Sequence, residues 1–359
     1  MKVAFITRLN LYTIAGGDTV QIEQTARQLQ NLGVEVDILR SIDKIPYEKY
    51  DVLHFFGIPR PGDILFHSKL AKMPFVVSTI HCTYGDYYKY NKSGIGAIFG
   101  SLSSDSMEYF KTIARWLVGK DHRPTLKYFL NGQRKTIIEV LETADFILPN
   151  SDSEGNRLKE MYTSKVKSLS VTNGINPEKF PFDPAIKKDD NLVICVGRIE
   201  NRKNQFNLIK ALNNTKYKLV LIGAPSANQH KYDAQCRAIA APNVTFLNRL
   251  PHDEMLKYYQ LAKVHVLASW FETTGLSSLE AAIMRCNIVI TDKGDTKEYF
   301  GNDAFYCAPE NPDSIRAAVE KASEAPFSEA LLERILTAHT WKKAAEQTLE
   351  AYQLLVTNK

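Results

Sequence analysis

Short apolar runs alternate with helical patterns along the first half of the chain. Residues 2–6 form an apolar run, a glycine-containing loop follows, and a helical pattern covers residues 20–32 before Gly33 ends it. Further strands are predicted at 34–39, 52–56, 75–79, 145–149 and 165–171. Because the predicted strands alternate with helices, the pattern indicates a parallel sheet covered by helices on both faces.

The same alternation restarts after a turn cluster at residues 173–177, which is a candidate hinge. Strands are then predicted at 192–196, 217–222, 244–246, 264–267 and 287–291. The expected fold class is therefore α/β, with two doubly wound, Rossmann-like domains at residues 1–172 and 173–339. Ligands of such sheets bind outside the carboxyl ends of the strands, so a cleft between the two domains is the expected site.

One segment, residues 84–134, interrupts the alternation. Apolar side chains recur there at helical spacing, at Met107, Phe110, Ile113, Ala114 and Leu117. Basic side chains lie among them or just beyond, at Lys111, Arg115, Lys120, Arg123 and Lys127. The favoured interpretation is a pair of helices that pack on the first domain. The alternative is a basic amphipathic face that rests on an anionic membrane surface.

The composition is that of an ordinary globular protein. The 359 residues are 44% hydrophobic and 24% charged, and the net charge is +5. This mild charge argues against nucleic acid as a partner. No run approaches the roughly 20 apolar residues of a membrane helix, and the N-terminus is too quickly polar for a signal peptide. The five cysteines are scattered and lack CxxC spacing, which favours free thiols in a reducing, cytoplasmic compartment.

Two carboxylates flank a predicted helix start in the second half. Glu272 and Glu280 enclose Thr274, Gly275 and Leu276, and the helix is predicted to begin at Gly275. The free backbone amides and the dipole of a helix start suit a phosphate. Ionised carboxylates only accept hydrogen bonds, so they suit sugar hydroxyls. Hydrogen-bond donors for a phosphate, with acceptors for sugar hydroxyls on both sides, indicate a site for a sugar nucleotide.

A basic loop follows the strand predicted at 192–196. Gly197 permits a tight exit from the strand, Arg198 offers a planar fork for a phosphate, and Lys203 supplies a compact positive charge. This loop alone is weak evidence, because exposed basic loops are common. Its combination with the two glutamates is a much stronger signal.

The combined motifs resemble those of the retaining glycosyltransferases with the GT-B fold, of the family 4 type. The resemblance implies that Arg198 and Lys203 hold the donor diphosphate, that Glu280 holds the ribose, and that Glu272 reaches the transferred sugar. It also implies that the amides from Thr274 to Leu276 hold phosphate and sugar oxygens. The resemblance is strong over residues 171–352 and looser in the first half. It implies two Rossmann-like domains that face each other across a cleft.

Other stretches of the second half agree with this resemblance. The loop that carries Arg249 and Leu250, with the helix after it, is expected to cradle the base. The helix at 340–359 is expected to cross back onto the first domain. Two departures, Ala268 where the family usually has proline and Asp295 where it usually has glycine, leave the sugar specificity open.

Three residues of the first half are further candidates. Gly16 and Gly17 open a predicted helix, and the resemblance implies that they lie near the donor phosphate and the acceptor. His81 follows a predicted strand, where the family often has a histidine that faces the donor sugar. A structural histidine is an equally weighted alternative. The candidate catalytic residues are Glu272, His81, Arg198 and Lys203.

The expected activity is transfer of a sugar, with retention of configuration, from a UDP- or GDP-sugar to a saccharide or lipid-linked acceptor. The resemblance implies cell-surface polysaccharide or glycolipid synthesis. No DxD motif or carboxylate pair for a metal is evident, so a reaction without metal or cofactor is expected. Two alternatives stay open: a sugar-nucleotide epimerase of the same fold, and a non-catalytic protein that binds glycans or nucleotide sugars. The expected location is the cytoplasm, with peripheral attachment to the inner face of the cell membrane if residues 84–134 bind lipid.

Overall fold

The computed structural model describes residues 1–83, 103–118 and 124–357, with backbone only at 356 and 357. The chain divides into two compact units. The first combines Met1–Asn173 with Trp341–Lys359, and the second is Gly174–Thr340. No helix among the described residues is long and apolar enough to cross a membrane.

The first unit contains a parallel sheet of five strands in the order β2-β1-β3-β4-β5. The strands are β1 Lys2–Thr7, β2 Glu35–Arg40, β3 Val52–Phe56, β4 Phe75–Ser78 and β5 Phe146–Leu148. Every residue of β3 and β4 is buried, which is typical of a strand covered on both faces. This double burial is why the strands appear in the sequence as nearly continuous apolar runs.

Helices cover this sheet and include the pair predicted in the interrupting segment. They are α1 Gly17–Asn31, α2 Pro61–Ala71, α3 Ser104–Leu117, α4 Leu126–Thr143, α5 Asp152–Met161 and α13 Trp341–Thr357. Side chains on α3 and α4 contact each other, and the Tyr109 hydroxyl donates to the carbonyl of Phe129 at 3.1 Å. Lys120, Arg123 and the tyrosine-rich start of the segment, residues 84–90, lie outside the described residues.

The strand predicted at 165–171 is wrong. Only Ser168 forms a bridge with Ile147, and it is an isolated one. Backbone bonds do join this stretch to β5, since Leu169 donates to the carbonyl of Ile147 at 3.1 Å. The polypeptide therefore runs beside the sheet edge without the continuous ladder that defines a strand, and an apolar pattern does not distinguish these two arrangements.

The second unit contains a parallel sheet of six strands in the order β11-β10-β9-β6-β7-β8. The strands are β6 Asp189–Val196, β7 Lys218–Ile222, β8 Val244–Leu247, β9 Ala262–Leu267, β10 Asn287–Thr291 and β11 Phe305–Cys307. Alternate residues face two cores: Val193 and Leu219 belong to one, Ile194 and Val220 to the other. The sequence pattern does not predict the edge strand β11, because a strand of three residues is too short to give a pattern.

Helices lie on both faces of this second sheet. They are α6 Gln205–Leu212, α7 His230–Ile239, α8 His252–Leu261, α9 Leu276–Ile283, α10 Thr296–Phe300, α11 Pro312–Glu324 and α12 Glu329–Ala338. The chain thus alternates strand and helix from β6 to α11. All the carboxyl ends of its strands meet at one edge of the sheet, since every pairing is parallel.

Candidate active site

Most of the candidate residues lie at the carboxyl edge of the second sheet, beside three neighbouring strands. Strands β10, β9 and β6 are adjacent in the sheet and parallel. The loop after β6 carries Arg198 and Lys203, and the loop after β9 carries Glu272. Sequence-distant candidates are therefore brought side by side by the topology of the sheet.

The loop after β10 fixes the backbone of Glu272. The amide of Glu272 donates to the carbonyl of Lys293 at 3.1 Å, and the amide of Asp295 donates to the carbonyl of Glu272 at 2.8 Å. Between them Gly294 has φ +101°, and a Cβ there would lie 2.1 Å from the carbonyl oxygen of Glu272. Only glycine permits this close approach, so Gly294 is a structural requirement of the Glu272 position.

Lys203 and Glu272 form a direct ion pair. The Lys203 Nζ atom lies 2.5 Å from Glu272 Oε1, and the Glu272 residue is only 8% exposed. Next to the lysine, the buried side chain of Asn204 donates to the carbonyls of Ala268 and Pro309 at 3.0 and 2.7 Å. Asn204 thereby fastens the loop after β6 to the loop after β9, a role that the sequence analysis missed.

Arg198 lies beside a buried carboxylate that the sequence analysis also missed. Glu200 Oε1 is 3.6 Å from Arg198 and 3.7 Å from Arg202, and the Glu200 residue is 6% exposed. The Arg198 side chain keeps 37% of its surface exposed. Both guanidinium groups are accessible beside this carboxylate, since the Arg202 side chain is 45% exposed, and the phosphate contact of Arg198 stays a prediction.

Helix α9 begins where the sequence predicts. Gly275 has φ +78° and precedes the first helical residue, Leu276. The amides of Ser278 and Leu279 bond to the carbonyl of Gly275 at 2.8 and 3.2 Å. The first amides of the helix have no intrahelical acceptor, so they are available donors for an anion. Below them, the Thr274 hydroxyl donates to the Tyr299 oxygen at 3.3 Å, which anchors the approach to the helix.

Glu280 lies on α9 and receives a hydrogen bond from a buried tyrosine. The Tyr259 hydroxyl donates to Glu280 Oε2 at 2.7 Å. Burial raises the pKa of the Glu280 carboxyl above its usual value, and the Tyr259 hydrogen bond and the nearby His252 oppose that rise. No local sequence pattern singles out Tyr259.

Arg249 and Leu250 lie after β8, two strands away from β6 in the sheet. Leu250 is half-buried against the apolar core, whereas Arg249 is exposed. Within residues 174–340 no ion pair joins Arg249 to any of the other candidate residues. Their expected contact with the base stays a prediction.

The remaining candidates belong to the first unit. Gly16 precedes α1, its amide donates to the Thr19 hydroxyl at 3.1 Å, and Gly17 is the exposed first residue of the helix. The preceding loop is held by an ion pair between Arg8 and Asp18, 2.6 Å apart. The glycine pair thus lies at a helix start, where backbone amides face outward.

His81 is buried just beyond β4, and its backbone is held by a carboxylate. The His81 amide donates to Glu154 Oε1 at 2.8 Å, and its ring packs edge-on against Tyr162, with centroids 5.9 Å apart. The fully buried Glu154 also accepts hydrogen bonds from the Thr79 hydroxyl and the Asn150 amide. The spacing Ser151-x-x-Glu154 is that of a capping box, and it is the signal that could have identified this residue.

Comparisons with known proteins find similarity in sequence and in fold. Residues 176–348 match the sequence model of the family described as glycosyl transferases group 1. The N-acetylgalactosamine-N,N'-diacetylbacillosaminyl-diphospho-undecaprenol 4-alpha-N-acetylgalactosaminyltransferase of Campylobacter jejuni is 26% identical, over 82% of this chain and 83% of that protein.

Solved structures extend the similarity to the whole chain. Sucrose-phosphate synthase from Thermosynechococcus elongatus covers 100% of both chains, with a TM-score of 0.76 and 15% identity. The Anabaena protein HepE, solved in complex with UDP-glucose, covers 100% of this chain and 99% of its own, with a TM-score of 0.66 and 13% identity. Residues 176–348 match the glycosyl transferases group 1, and the chain is a glycosyltransferase with the GT-B fold.

Proposed function

We propose that the protein transfers a sugar from a nucleoside-diphosphate sugar, UDP-linked in the first instance, with retention of configuration and without a metal ion. The observation that carries this proposal is the Lys203–Glu272 pair at the strand edge beside the start of α9. A cation for phosphate and a carboxylate for sugar hydroxyls lie in contact there. The UDP-glucose complex of HepE, a protein of the same fold, supports UDP as the donor nucleotide.

The diphosphate leaving group gains negative charge as the sugar departs. Arg198, Lys203 and the first amides of α9 are the groups proposed to stabilise that charge. Because two cations and a helix start supply this stabilisation, the proposed reaction needs no metal. Glu272 accepts hydrogen bonds from the transferred sugar, and Glu280 accepts them from the ribose.

In a single step, retention follows when the acceptor attacks from the face that the diphosphate leaves. In the proposed reaction an oxygen of the donor phosphate takes the proton from the acceptor hydroxyl. The C1–phosphate bond breaks, the C1–acceptor oxygen bond forms, and the nucleoside diphosphate leaves with the proton. We assign the donor to the second unit and the acceptor to the first. The candidate residues Gly16, Gly17 and His81 belong to the first unit.

The proposed acceptor is a saccharide, either free or linked to a lipid diphosphate. The name of the Campylobacter relative specifies a diphospho-undecaprenol acceptor, which supports a lipid-linked one here. Four cysteines, Cys195, Cys236, Cys286 and Cys307, are buried thiols. They support the proposed cytoplasmic location, because disulfides are rare in a reducing compartment.

Peripheral attachment to the membrane is a separate part of the proposal. On α3 and α4 the side chains of Phe110, Leu117 and Leu130 are 51%, 70% and 77% exposed. Lys111 and Arg115 lie on α3 and pair with Glu108, at 3.6 and 2.9 Å. We expect flotation with anionic liposomes at low salt and none with neutral ones. Absence of flotation in both would remove this part of the proposal.

A transfer assay tests the central proposal. The full chain is incubated with UDP- and GDP-sugars and with saccharides that are free or linked to polyprenyl diphosphate. We expect a new glycoside whose anomeric configuration equals that of the donor, formed equally well with excess EDTA. Free nucleotide with an altered sugar would indicate the epimerase, and binding without turnover would indicate the non-catalytic protein. An inverted product or abolition by EDTA would contradict the corresponding part of the proposal.

A further inference from the structure

Tyr259 is fully buried, and its hydroxyl contacts the carboxylate of Glu280, the residue proposed to bind the ribose. It is 0% exposed, and it donates to Glu280 Oε2 at 2.7 Å. Its second, longer approach is to the carbonyl of Ser277 at 3.5 Å, on the same helix as Glu280. The carboxylate satisfies the buried hydroxyl as its hydrogen-bond acceptor. The rigid tyrosine side chain loses little rotamer entropy, and its hydrogen bond fixes the position of the carboxylate.

The backbone of Tyr259 is fixed as firmly as its ring. Its carbonyl oxygen accepts from Lys188 Nζ at 3.0 Å and from Cys286 Sγ at 3.2 Å. The same lysine also bonds to the carbonyls of Gln260 and Ala262, at 3.2 and 2.9 Å, so it binds the C-terminal end of α8. The phenol is therefore a rigid support, because neither its ring nor its main chain has room to move.

The hydrogen bond divides the two oxygens of Glu280 between two tasks. Oε2 already accepts from Tyr259, so Oε1 is the oxygen with more acceptor capacity for a ligand. A glutamate side chain has three rotatable torsions. Because the Tyr259 hydrogen bond already holds one oxygen, ligand binding costs less side-chain conformational entropy. Tyr259 and His252 are the groups that act on the Glu280 carboxyl, and both favour its ionised, accepting form.

We infer that Tyr259 is the positioning residue that makes Glu280 discriminate a ribose from a deoxyribose. This inference rests on the proposed function, because it takes the ligand of Glu280 to be the ribose of a nucleoside diphosphate. Tyr259 itself does not touch the nucleotide. It acts by holding Glu280, so its removal weakens the recognition of the ribose hydroxyls and leaves the diphosphate contacts intact.

The test compares nucleotide affinities by calorimetry on the full chain. UDP, 2′-deoxy-UDP and 3′-deoxy-UDP are titrated into the wild type, Tyr259→Phe, Glu280→Gln and the double variant. For the wild type we expect UDP to bind about 10-fold or more tighter than one of the deoxy forms, the usual effect of a hydrogen bond to a charged group. In Tyr259→Phe we expect this ratio to fall to about 3-fold or less, with the affinity for that deoxy form unchanged.

Tyr217→Phe is the matched control. Tyr217 is 1% exposed, its hydroxyl bonds to Ser323 at 2.9 Å, and it precedes β7 at the amino end of the strand, away from the carboxyl edge. This variant also loses a buried hydroxyl, yet it should keep the wild-type ratio.

The double variant keeps the inference testable even if Tyr259→Phe alone does not fold, because it removes the unpaired carboxylate as well. It should discriminate ribose from deoxyribose no better than Glu280→Gln does. Weaker binding of that deoxy form by the double variant than by Glu280→Gln would show that Tyr259 contacts the nucleotide and would overturn its positioning role. An unchanged ratio in Tyr259→Phe, or a wild type without discrimination, would do the same. A wild type that binds neither UDP nor GDP overturns the proposed function, and this inference with it.

Discussion

The Lys203 ammonium group lies 2.5 Å from Glu272 Oε1, and it joins the loop after β6 to the loop after β9. Glu272 is buried, so its charge needs a partner, and Lys203 is that partner. A donor diphosphate would share or replace this contact. The pair therefore holds both side chains at the strand edge where the proposed donor binds.

Replacing Lys203 by alanine should lower both the affinity for the nucleotide and the stability of the fold. We expect Lys203→Ala to weaken UDP binding about 10- to 100-fold, because one charged hydrogen bond is worth about 1.5–3 kcal/mol. The variant should also melt at a lower temperature, since Glu272 stays buried without a partner. Calorimetric titration and thermal unfolding measure the two effects.

A double variant and a distant lysine complete this experiment. Lys203→Met with Glu272→Gln should recover much of the melting temperature and none of the nucleotide affinity or transfer. Lys210→Ala removes an exposed lysine on α6 and should leave both quantities unchanged. Undiminished UDP binding by Lys203→Ala would remove the lysine from the proposed phosphate site.

Adding one methyl group at Gly294 should displace Glu272. In Gly294→Ala the new Cβ would lie 2.1 Å from the Glu272 carbonyl oxygen, so the backbone of one loop must shift. We expect transfer to fall at least about 100-fold, because small misplacements of a contact to the reacting sugar are costly. Steady-state kinetics with the identified donor measure the loss.

Gly33→Ala is the matched control for this prediction. Gly33 also has a positive φ, +83°, but a Cβ there meets no atom within 4 Å. It carries the same kind of backbone strain, about 1 kcal/mol, without the clash. If both variants lose activity equally, strain and not the Glu272 contact explains the result.

The sequence predicted the elements whose burial makes a strong pattern and the residues whose charge makes a local motif. Strands such as β3 and β9 are buried on both faces and stand out as apolar runs. The start of α9 at Gly275 was predicted correctly, because a left-handed position before a helix favours glycine. The stretch at 165–171 alternates apolar and polar residues as a half-buried strand does, but its position beside the sheet edge depends on tertiary contacts.

The supporting residues of the site escaped prediction for a physical reason. Glu154, Glu200, Asn204 and Tyr259 act through hydrogen bonds to parts of the chain that are distant in sequence. A buried polar residue has the same local pattern whether or not it orients a functional group. Only the fold reveals that their partners include His81 and Glu280.

Glu154 should prove essential to the position of His81 and to the stability of the first unit. It accepts from the Thr79 hydroxyl and from the amides of His81 and Asn150, and Glu154→Gln removes the charge and one acceptor oxygen. We expect a loss of about 2–4 kcal/mol in the free energy of unfolding, as for a buried donor left unsatisfied. Chemical denaturation measures it.

Glu160→Gln is the control for this change, because Glu160 lies on the same helix and is exposed. It should alter the free energy of unfolding by less than about 0.5 kcal/mol. Equal stability of the two variants would contradict the structural role of Glu154.

Three buried histidines should make the protein labile to mild acid. Burial lowers the pKa of His54 and His265 to about 3 and that of His339 to about 4, with nearby Lys203 and Arg334 adding to the effect on the last two. An unfolded histidine titrates near 6.5. Below that pH the unfolded chain therefore binds protons that the folded chain does not, so stability is complete above pH 6.5 and is lost as the pH falls toward 4.

Each such histidine contributes a slope of about 1.4 kcal/mol per pH unit, so the three together contribute about 4 kcal/mol per unit between pH 6 and pH 4.5. Unfolding free energies measured at several pH values across this range give the slope. His54→Gln should reduce it by about one third, whatever the variant does to stability at pH 7.5, because one proton-binding group is gone.

His230→Gln, which replaces an exposed histidine, should not change this slope. A wild-type stability that stays flat from pH 7.5 to pH 5 would mean that these histidines are protonated in the folded protein, and the buried His54 would then need an anionic partner in place of the Tyr352 and Ser78 hydroxyls that contact its ring.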